Sequence, residues 1–312
     1  MQRLDFRAMG STMRALVDSQ DPQPALEDVP EWFESWEQTL SRFRMDSELT
    51  RLNKQAGEPV AVSADLWEVC AVSIKAYRWT RGLVSPLVLE AMNRAGYDRD
   101  FEGIGAAAVP ELIPGWDVPS DSAAFPEDTS DPADLVLDAP TRTLCLPLGT
   151  GLDFGGIAKG WAAEQAAQRL GRFGPALISA GGDIAVSGPR AEGEPWAISV
   201  DDPFHPGFSI ETIYLESGGV ATSGRDRRHW IRSGRLKHHI IDPRTGEPAE
   251  TDVVTATVIA ADAIRAEALA KASLILGGKA GIEWLERQED AAALVVLESG
   301  DTLFTSSMES FL

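Results

Sequence analysis

Near the start of the chain, apolar residues recur at helical spacing in three places. Trp32, Phe33, Trp36, Leu40 and Phe43 predict a helix over residues 30–54. Leu66, Val69, Cys70, Ser73 and Ala76 share one face of a second helix over 63–80, and a third follows Pro86 within 83–96. The pattern then lapses. Residues 103–134 are rich in Pro, Gly, Asp and Ser and read as a surface loop or mobile excursion. From residue 135 the period shortens. Residues 135–150 alternate like strands, 156–171 return to helix, and 175–188 read as strand–turn–strand. Short strands are expected at 195–201, 209–215, 219–223, 228–233 and 236–242, followed by a β-branched strand at 252–260. A helix rich in Ala, Leu and Ile occupies 262–277, and strands at 291–297 and 302–305 end the pattern. Helices and strands mix without a βαβ rhythm, which points to an α+β fold over a doubly wound sheet.

Composition narrows the function classes. A chain of 312 residues can bury a large core in one domain or in two intimate lobes. With 44% apolar and 24% charged residues it is ordinary globular protein, which excludes wholesale disorder and fibrous structure. No stretch approaches the roughly 18 apolar residues a bilayer span needs. Met1 to Met13 carries Arg3, Asp5 and Arg7 and no apolar segment, so it reads as neither a secretory signal nor a lipoprotein leader. A cytoplasmic protein is expected, or an exported one whose leader has been cut away. The net charge of −20 repels phosphate backbones and argues against nucleic acid as a partner. Any phosphate ligand must therefore enter a local positive site or recruit a cation. Cys70 and Cys145 lack metal-ligand spacing and read as reduced core residues. The four histidines are too scattered for a His-rich metal site.

Five segments carry candidate chemistry. In LDFGGIAKGWAAEQAAQRL, residues 152–170, a strand ends at Asp153, Gly155 and Gly156 follow, and a helix opens near Ala158. Glycines admit a ligand close to the backbone, and a helix N-terminus offers N–H groups to an anion. Lys159 stands in the first turn, where the helix dipole disfavours a cation, so it has another purpose: a phosphate, or merely solvent. Gly181-Gly182-Asp183 follows an apolar strand and suits a hairpin turn or a close ligand approach. Thr222 and Ser223, in GGVATSG, have hydroxyls for a phosphate or a turn. In KHHIIDPRTGEP, residues 237–248, His239 precedes a β-turn and suits either proton transfer or a structural hydrogen bond. Glu267 and Lys271 lie four apart on one helix face, as a surface salt bridge or as groups aimed at a metal or phosphate.

Taken in order, these segments resemble the ApbE family of FAD:protein FMN transferases. Met9-Gly10-Ser11 is similar to the family's opening Met-Gly-Thr, and LSRFRMDSELTRLN, residues 40–53, to its Ser-x-Phe/Tyr…Ser-Glu-Leu…Asn segment. The resemblance runs from about residue 4 to about residue 305. It implies a T-fold-like, two-lobed α+β architecture with mostly antiparallel sheets. The N-terminal lobe would cover about 1–102 and the C-terminal lobe 135–312, with the FAD cleft between them. The implied activity is covalent transfer of FMN from FAD to a Thr or Ser hydroxyl of a target protein, releasing AMP, with Mg2+ at the pyrophosphate. Such targets have a short Asp-rich motif containing Ala and Thr. Alternatives are an FAD-binding protein without chemistry and an FAD pyrophosphatase. Position by position, the resemblance makes Met9, Phe43, Gly96, Tyr97, Asp153, Lys159, Gly181, Gly182, Asp183, Thr222, Ser223, Ile241 and Asp242 the FAD-contacting residues. His239 becomes the candidate catalytic base, with Lys159 beside the phosphates. Gly156, Glu267, Ala270 and Lys271 fall at metal-ligand positions.

One departure stands out. The family's last helix reads Ala-Asp-Ala-x-x-Thr-Ala, with Asp and Thr on magnesium, and here residues 266–272 read AEALAKA. Glu267 keeps a hard oxygen ligand on a longer arm. Lys271 removes a hydroxyl and puts an ammonium where a cation is expected. Two unit charges about 4 Å apart repel by roughly 4 kcal/mol at a near-surface dielectric. Either Lys271 swings aside and leaves a weakened metal site, or its ammonium replaces the metal with Glu267 pairing to it, or FAD binds with little transfer.

Overall fold

The computed structural model describes residues 1–19, 24–104, 132–232 and 234–312. Two compact units divide the chain: Met1–Glu37 with Ile157–Gly224 and Thr251–Leu312, and Gln38–Gly156 with Arg225–Glu250. Each unit is assembled from separated stretches, so the sequential lobes expected at 1–102 and 135–312 do not coincide with these units. Pairing across long stretches of chain, and not the order of residues, defines them.

The first unit is built on one eight-stranded antiparallel sheet. Its strands are β1 (Gln2–Ala8), β2 (Ser11–Val17), β3 (Ala176–Ala180), β4 (Asp183–Val186), β5 (Gly218–Gly224), β6 (Val253–Ala260), β7 (Ala292–Leu297) and β8 (Thr302–Phe304). They lie side by side in chain order. Among the described residues three α-helices lie wholly in this unit, α1 (Ala158–Leu170), α2 (Ala263–Leu276) and α3 (Gly278–Leu285), and most of the helix Val29–Leu40 belongs to it as well.

The two faces of the sheet carry side chains of different size. Successive residues of a strand point to opposite faces. On one face Val220, Ile259 and Leu294 pack with Trp196, Ile198 and Ile213 of a hairpin formed by Trp196–Asp201 and Ser209–Leu215. Burying a side chain such as Ile259 contributes about 1.5–3 kcal/mol. On the other face Ala221, Ala260 and Ala293 meet Ala266, Leu269 and Ala270 of α2. Small residues on both surfaces let that helix lie close to the strands. All eight residues of β6 are buried, which explains a run of β-branched and small residues without apolar–polar alternation between the faces. Asp262 caps α2 by accepting the Arg265 N–H at 2.7 Å, and Gly277, with φ of 85°, ends it. Phe6, Phe33, Trp36 and Trp161 form an edge-on aromatic column in the same unit.

The second unit holds helices at Glu48–Asn53, Ala64–Trp79, Leu89–Ala95 and Phe101–Ile104. A three-stranded sheet of Pro59–Ala61, Thr143–Cys145 and Val136–Asp138 and two small hairpins complete it.

The α+β class with mostly antiparallel sheets agrees with the sequence, and several details differ. The helix expected over 30–54 is two helices, Val29–Leu40 and Glu48–Asn53. Ser47 breaks the run by capping the second, its Oγ accepting the Thr50 N–H at 2.9 Å. Phe43 therefore sits in the connecting turns, not on a helix face. The third helix shortens to Leu89–Ala95 and ends at Gly96, whose φ is 98°. The hairpin β1–β2 and helix α3 have no counterpart in the hydrophobic pattern. The excursion expected over 103–134 lies mostly outside the described residues. Cys70 is buried, which pushes its thiol up to about 12, and Cys145 is half-buried; both are free thiols. Among the described residues no helix is long and apolar enough to cross a membrane.

Candidate functional site

In the first unit, four charged side chains meet where α1, α2 and β4 come together. Lys159, in the first turn of α1, donates to the Asp183 carboxylate at the start of β4. Its Nζ also lies 3.5 Å from Glu267 Oε1, and Lys271 Nζ lies 3.4 Å from the same oxygen. The Gly160 N–H donates to Glu267 Oε2 at 3.0 Å. This contact depends on glycine: a Cβ at residue 160 would stand 2.8 Å from the Ala263 carbonyl oxygen and 2.9 Å from Glu267 Oε2. The carboxylates are the deep members, with side-chain exposures of 3% for Asp183 and 1% for Glu267, against 17% for Lys159 and 15% for Lys271. Glu267 is thus buried and Lys271 half-buried, so the pair is not the surface salt bridge that its spacing also allowed. Burial pushes Glu267 up, but the ammoniums of Lys159 and Lys271 prevail and hold it below the usual carboxylate range. Burial and the charge of Glu267 push Asp183 upward against the pull of Lys159.

Beside this cluster, Gly181 and Gly182 form the two-residue turn of the β3–β4 hairpin, with φ of 68° and 106°. Both values lie in the left-handed region that glycine tolerates, so the hairpin reading of this segment is right. A Cβ on Gly181 would lie 3.9 Å from Lys159 Cδ, so the turn stays adjacent to the lysine. Thr222 and Ser223 lie on β5, where Thr222 Oγ1 is 2.9 Å from Thr257 Oγ1 and Ser223 is buried. Met9 occupies the β1–β2 turn with φ of 48°, its N–H donating to Glu37 at 2.6 Å.

The second unit assembles an aromatic and cationic group. Phe43 packs on Tyr97 at 5.4 Å between ring centroids, and Tyr97 on Trp230 at 5.5 Å. Ile241 joins the same cluster, and the Trp230 indole donates to the Ala95 carbonyl at 2.9 Å. Gly96 fits tightly here, because a Cβ would stand 2.4 Å from Arg232 Nη1. Arg42 lies 4.1 Å above the Phe43 ring and 4.8 Å from that of Tyr97, donates to the Tyr97 carbonyl at 2.6 Å, and ion-pairs with Asp153. Asp153 also accepts the Gly155 N–H at 2.7 Å, so its carboxylate braces the glycine turn that leads to Gly156. Asn53 clamps the same segment, exchanging hydrogen bonds of 2.9 and 2.8 Å with the Leu152 backbone. Burial pushes the Tyr97 phenol up against the opposing charges of Arg228 and Arg42.

The two adjacent histidines differ. His238 is buried, with Nε2 3.0 Å from the Ala249 carbonyl and Nδ1 accepting the Ile240 N–H at 3.3 Å. Its ring is held neutral and pushed down to about 4 by burial. His239 is half-buried, with Nδ1 3.4 Å from the Arg228 carbonyl. A carbonyl partner calls for a proton on Nδ1, which makes Nε2 the basic nitrogen of that ring. Asp242 is buried and grips Arg244 through both carboxylate oxygens.

The structure thus joins Lys159, Asp183, Glu267 and Lys271 with the glycine turn in one unit, and Phe43, Gly96, Tyr97 and Ile241 in the other. Arg42 and Arg228 were missed, although Arg42 stands next to Phe43 in a quoted segment and cations in so acidic a chain were the available signal. Ala270 lies inside α2 and its carbonyl accepts the Ser273 hydroxyl at 3.0 Å. Among the described residues no group of three or more His, Cys, Asp or Glu side chains is arranged to hold a metal.

The model of the ApbE family matches residues 9–295. The FAD:protein FMN transferase of Treponema pallidum is 31% identical over 299 residues, 86% of this chain and 77% of that protein. That of Haemophilus influenzae is 27% identical over 278 residues, 87% of this chain and 78% of its own length. Among solved structures, the ApbE protein of Thermotoga maritima superposes with a TM-score of 0.85 at 28% identity, covering 99% of this chain and 98% of its own. The flavin transferase ApbE of Vibrio cholerae gives 0.76 at 26%, covering 100% and 99%. A match from residue 9 to residue 295 leaves little of the sequence outside it, and the chain belongs to the ApbE family.

Proposed function

We propose that this chain is an FAD:protein FMN transferase. The observation that carries the reading is a family match over nearly its whole length, to relatives that bear that name. In the reaction, a Thr or Ser hydroxyl oxygen of the target protein bonds to the phosphorus next to FMN. The bond from that phosphorus to the bridging oxygen breaks, AMP leaves with the electron pair, and the hydroxyl proton passes to a base. His239 suits that role, since its hydrogen bond to a carbonyl leaves Nε2 as the proton acceptor. Lys159 suits the charge on the phosphates, and the Gly181-Gly182 turn beside it allows close approach. Phe43 offers a flat ring, with Arg42 above it, to a heterocycle. These roles, and those of Met9, Gly96, Tyr97, Asp153, Asp183, Thr222, Ser223, Ile241 and Asp242 around FAD, belong to this proposal.

Magnesium, implied by the family resemblance, does not fit the residues present. Both Glu267 oxygens already have partners in Gly160, Lys159 and Lys271, Asp183 is paired with Lys159, and the charges of the four side chains cancel. No step is assigned to it. Incubating the protein with FAD and a Thr-containing, Asp-rich peptide tests the function. An FMN mass added to the peptide, with one AMP released per adduct, is the expected result. AMP and FMN released equally without peptide, and no adduct with it, would make the protein an FAD pyrophosphatase instead.

A further inference from the structure

The disagreement between the charged cluster and a divalent cation carries an inference of its own, which rests on the transferase reading. We propose that the ammonium of Lys271 stands in for the metal: with Lys159 it presents two ammonium donors, held by the carboxylates behind them, to the substrate's phosphates, so that FAD binding and transfer need no divalent ion. Glu267 and Asp183 lie at 1% and 3% exposure, while Lys271 and Lys159 retain 15% and 17%. The side of the cluster that reaches solvent is therefore cationic, in a chain whose net charge is −20. Glu267 acts as the anchor. Its Oε1 lies 3.4 and 3.5 Å from the two ammoniums, and its Oε2 is tied to the Gly160 N–H. That geometry holds two like charges close together without a metal, because the carboxylate between them offsets their repulsion.

A divalent ion entering here would face two ammoniums and carboxylates already satisfied by them. No oxygen is gained in return, since Lys271 has no acceptor atom. The pyrophosphate of FAD meets the opposite situation: lysine ammoniums are point-charge donors suited to phosphate oxygens. The covalent chemistry is unchanged from the reaction above, since the lysines only hold charge.

The test uses three proteins: wild type, Lys271→Thr and Lys271→Gln, each checked for folding by thermal denaturation. Mn2+ is titrated into each protein without flavin, with the free ion followed by electron paramagnetic resonance. Wild type should leave Mn2+ free, whereas Lys271→Thr, with a hydroxyl and a released carboxylate, should bind it. FAD affinity is then read from flavin fluorescence quenching with EDTA and with Mg2+. Wild type should change less than about twofold between the two conditions. Both variants should lose about tenfold in EDTA, the worth of one charged hydrogen bond, and Mg2+ should restore Lys271→Thr but not Lys271→Gln. Stoichiometric Mn2+ binding by wild type, or wild-type FAD affinity that collapses in EDTA, would overturn the proposal. So would full FAD affinity in Lys271→Gln, which would leave Lys271 a purely structural partner of Glu267. Wild type that binds no FAD under any condition would sink the transferase reading and the phosphate-holding role together, while the Mn2+ titration still decides the metal question by itself.

Discussion

The two units keep charge under control in different ways. In the first, charge is balanced by charge: two buried carboxylates answer two lysines, and a backbone N–H completes the set. In the second, charge is spread over rings. Arg42 shares its guanidinium among Asp153, the Tyr97 carbonyl and the faces of Phe43 and Tyr97, and buried His238 carries no charge at all. The difference teaches that a cluster of compact ions is only as stable as its least replaceable member, whereas a guanidinium on aromatic faces loses its support in small portions.

Glu267→Ala attacks the first arrangement at its centre and should have the largest effect. It leaves two ammoniums and the Gly160 N–H without their shared acceptor and should cost about 3–5 kcal/mol, read by urea denaturation. A loss under about 1 kcal/mol would mean that the cluster does not depend on its anchor. Acid should act on the second unit. The unfolded His238 ring takes up a proton near 6.5, and the folded ring resists until about 4. The stability it confers is whole above 6.5 and is lost as pH falls toward 4, by about 3 kcal/mol. His238→Gln should flatten that part of the pH–stability curve, and an unchanged curve would show that some other group governs it. Arg42→Lys should have the smallest effect. It keeps the charge but gives up ring stacking and the simultaneous reach to Asp153 and the Tyr97 carbonyl, for a loss of about 1–2 kcal/mol and a weaker FAD affinity by fluorescence quenching. A loss as large as that of Glu267→Ala would erase the contrast between the units.

Much of the sheet was legible because its signals are local. The run at β6 and the capped, apolar α2 announce themselves within their own residues. The hairpin β1–β2 was not, because Arg3, Asp5 and Arg7 on its exposed face leave only half-buried residues between them, and no run of apolar positions marks the edge strand. Helix α3 begins on a glycine whose N–H is held by Asp252 at 2.8 Å, a partner 26 residues away that no local pattern announces. The site followed the same rule. Lys159, Asp183, Glu267 and Lys271 were each visible, yet their joining depends on Gly160 admitting α2, which local sequence does not foretell.

The alanines that seat α2 flush against the strands bear on how this family can diversify. A helix mounted on Ala221, Ala260 and Ala293 through Ala266 and Ala270 has little room to slide or tilt. Position 271 is consequently a fixed socket: under that proposal, exchanging its side chain is expected to change which cation serves the phosphates while the backbone beneath keeps its alignment. If Lys271 serves as proposed, a tethered ion takes the place of a diffusible one through changes at positions 267 and 271 of one helix, with the fold beneath left as it is.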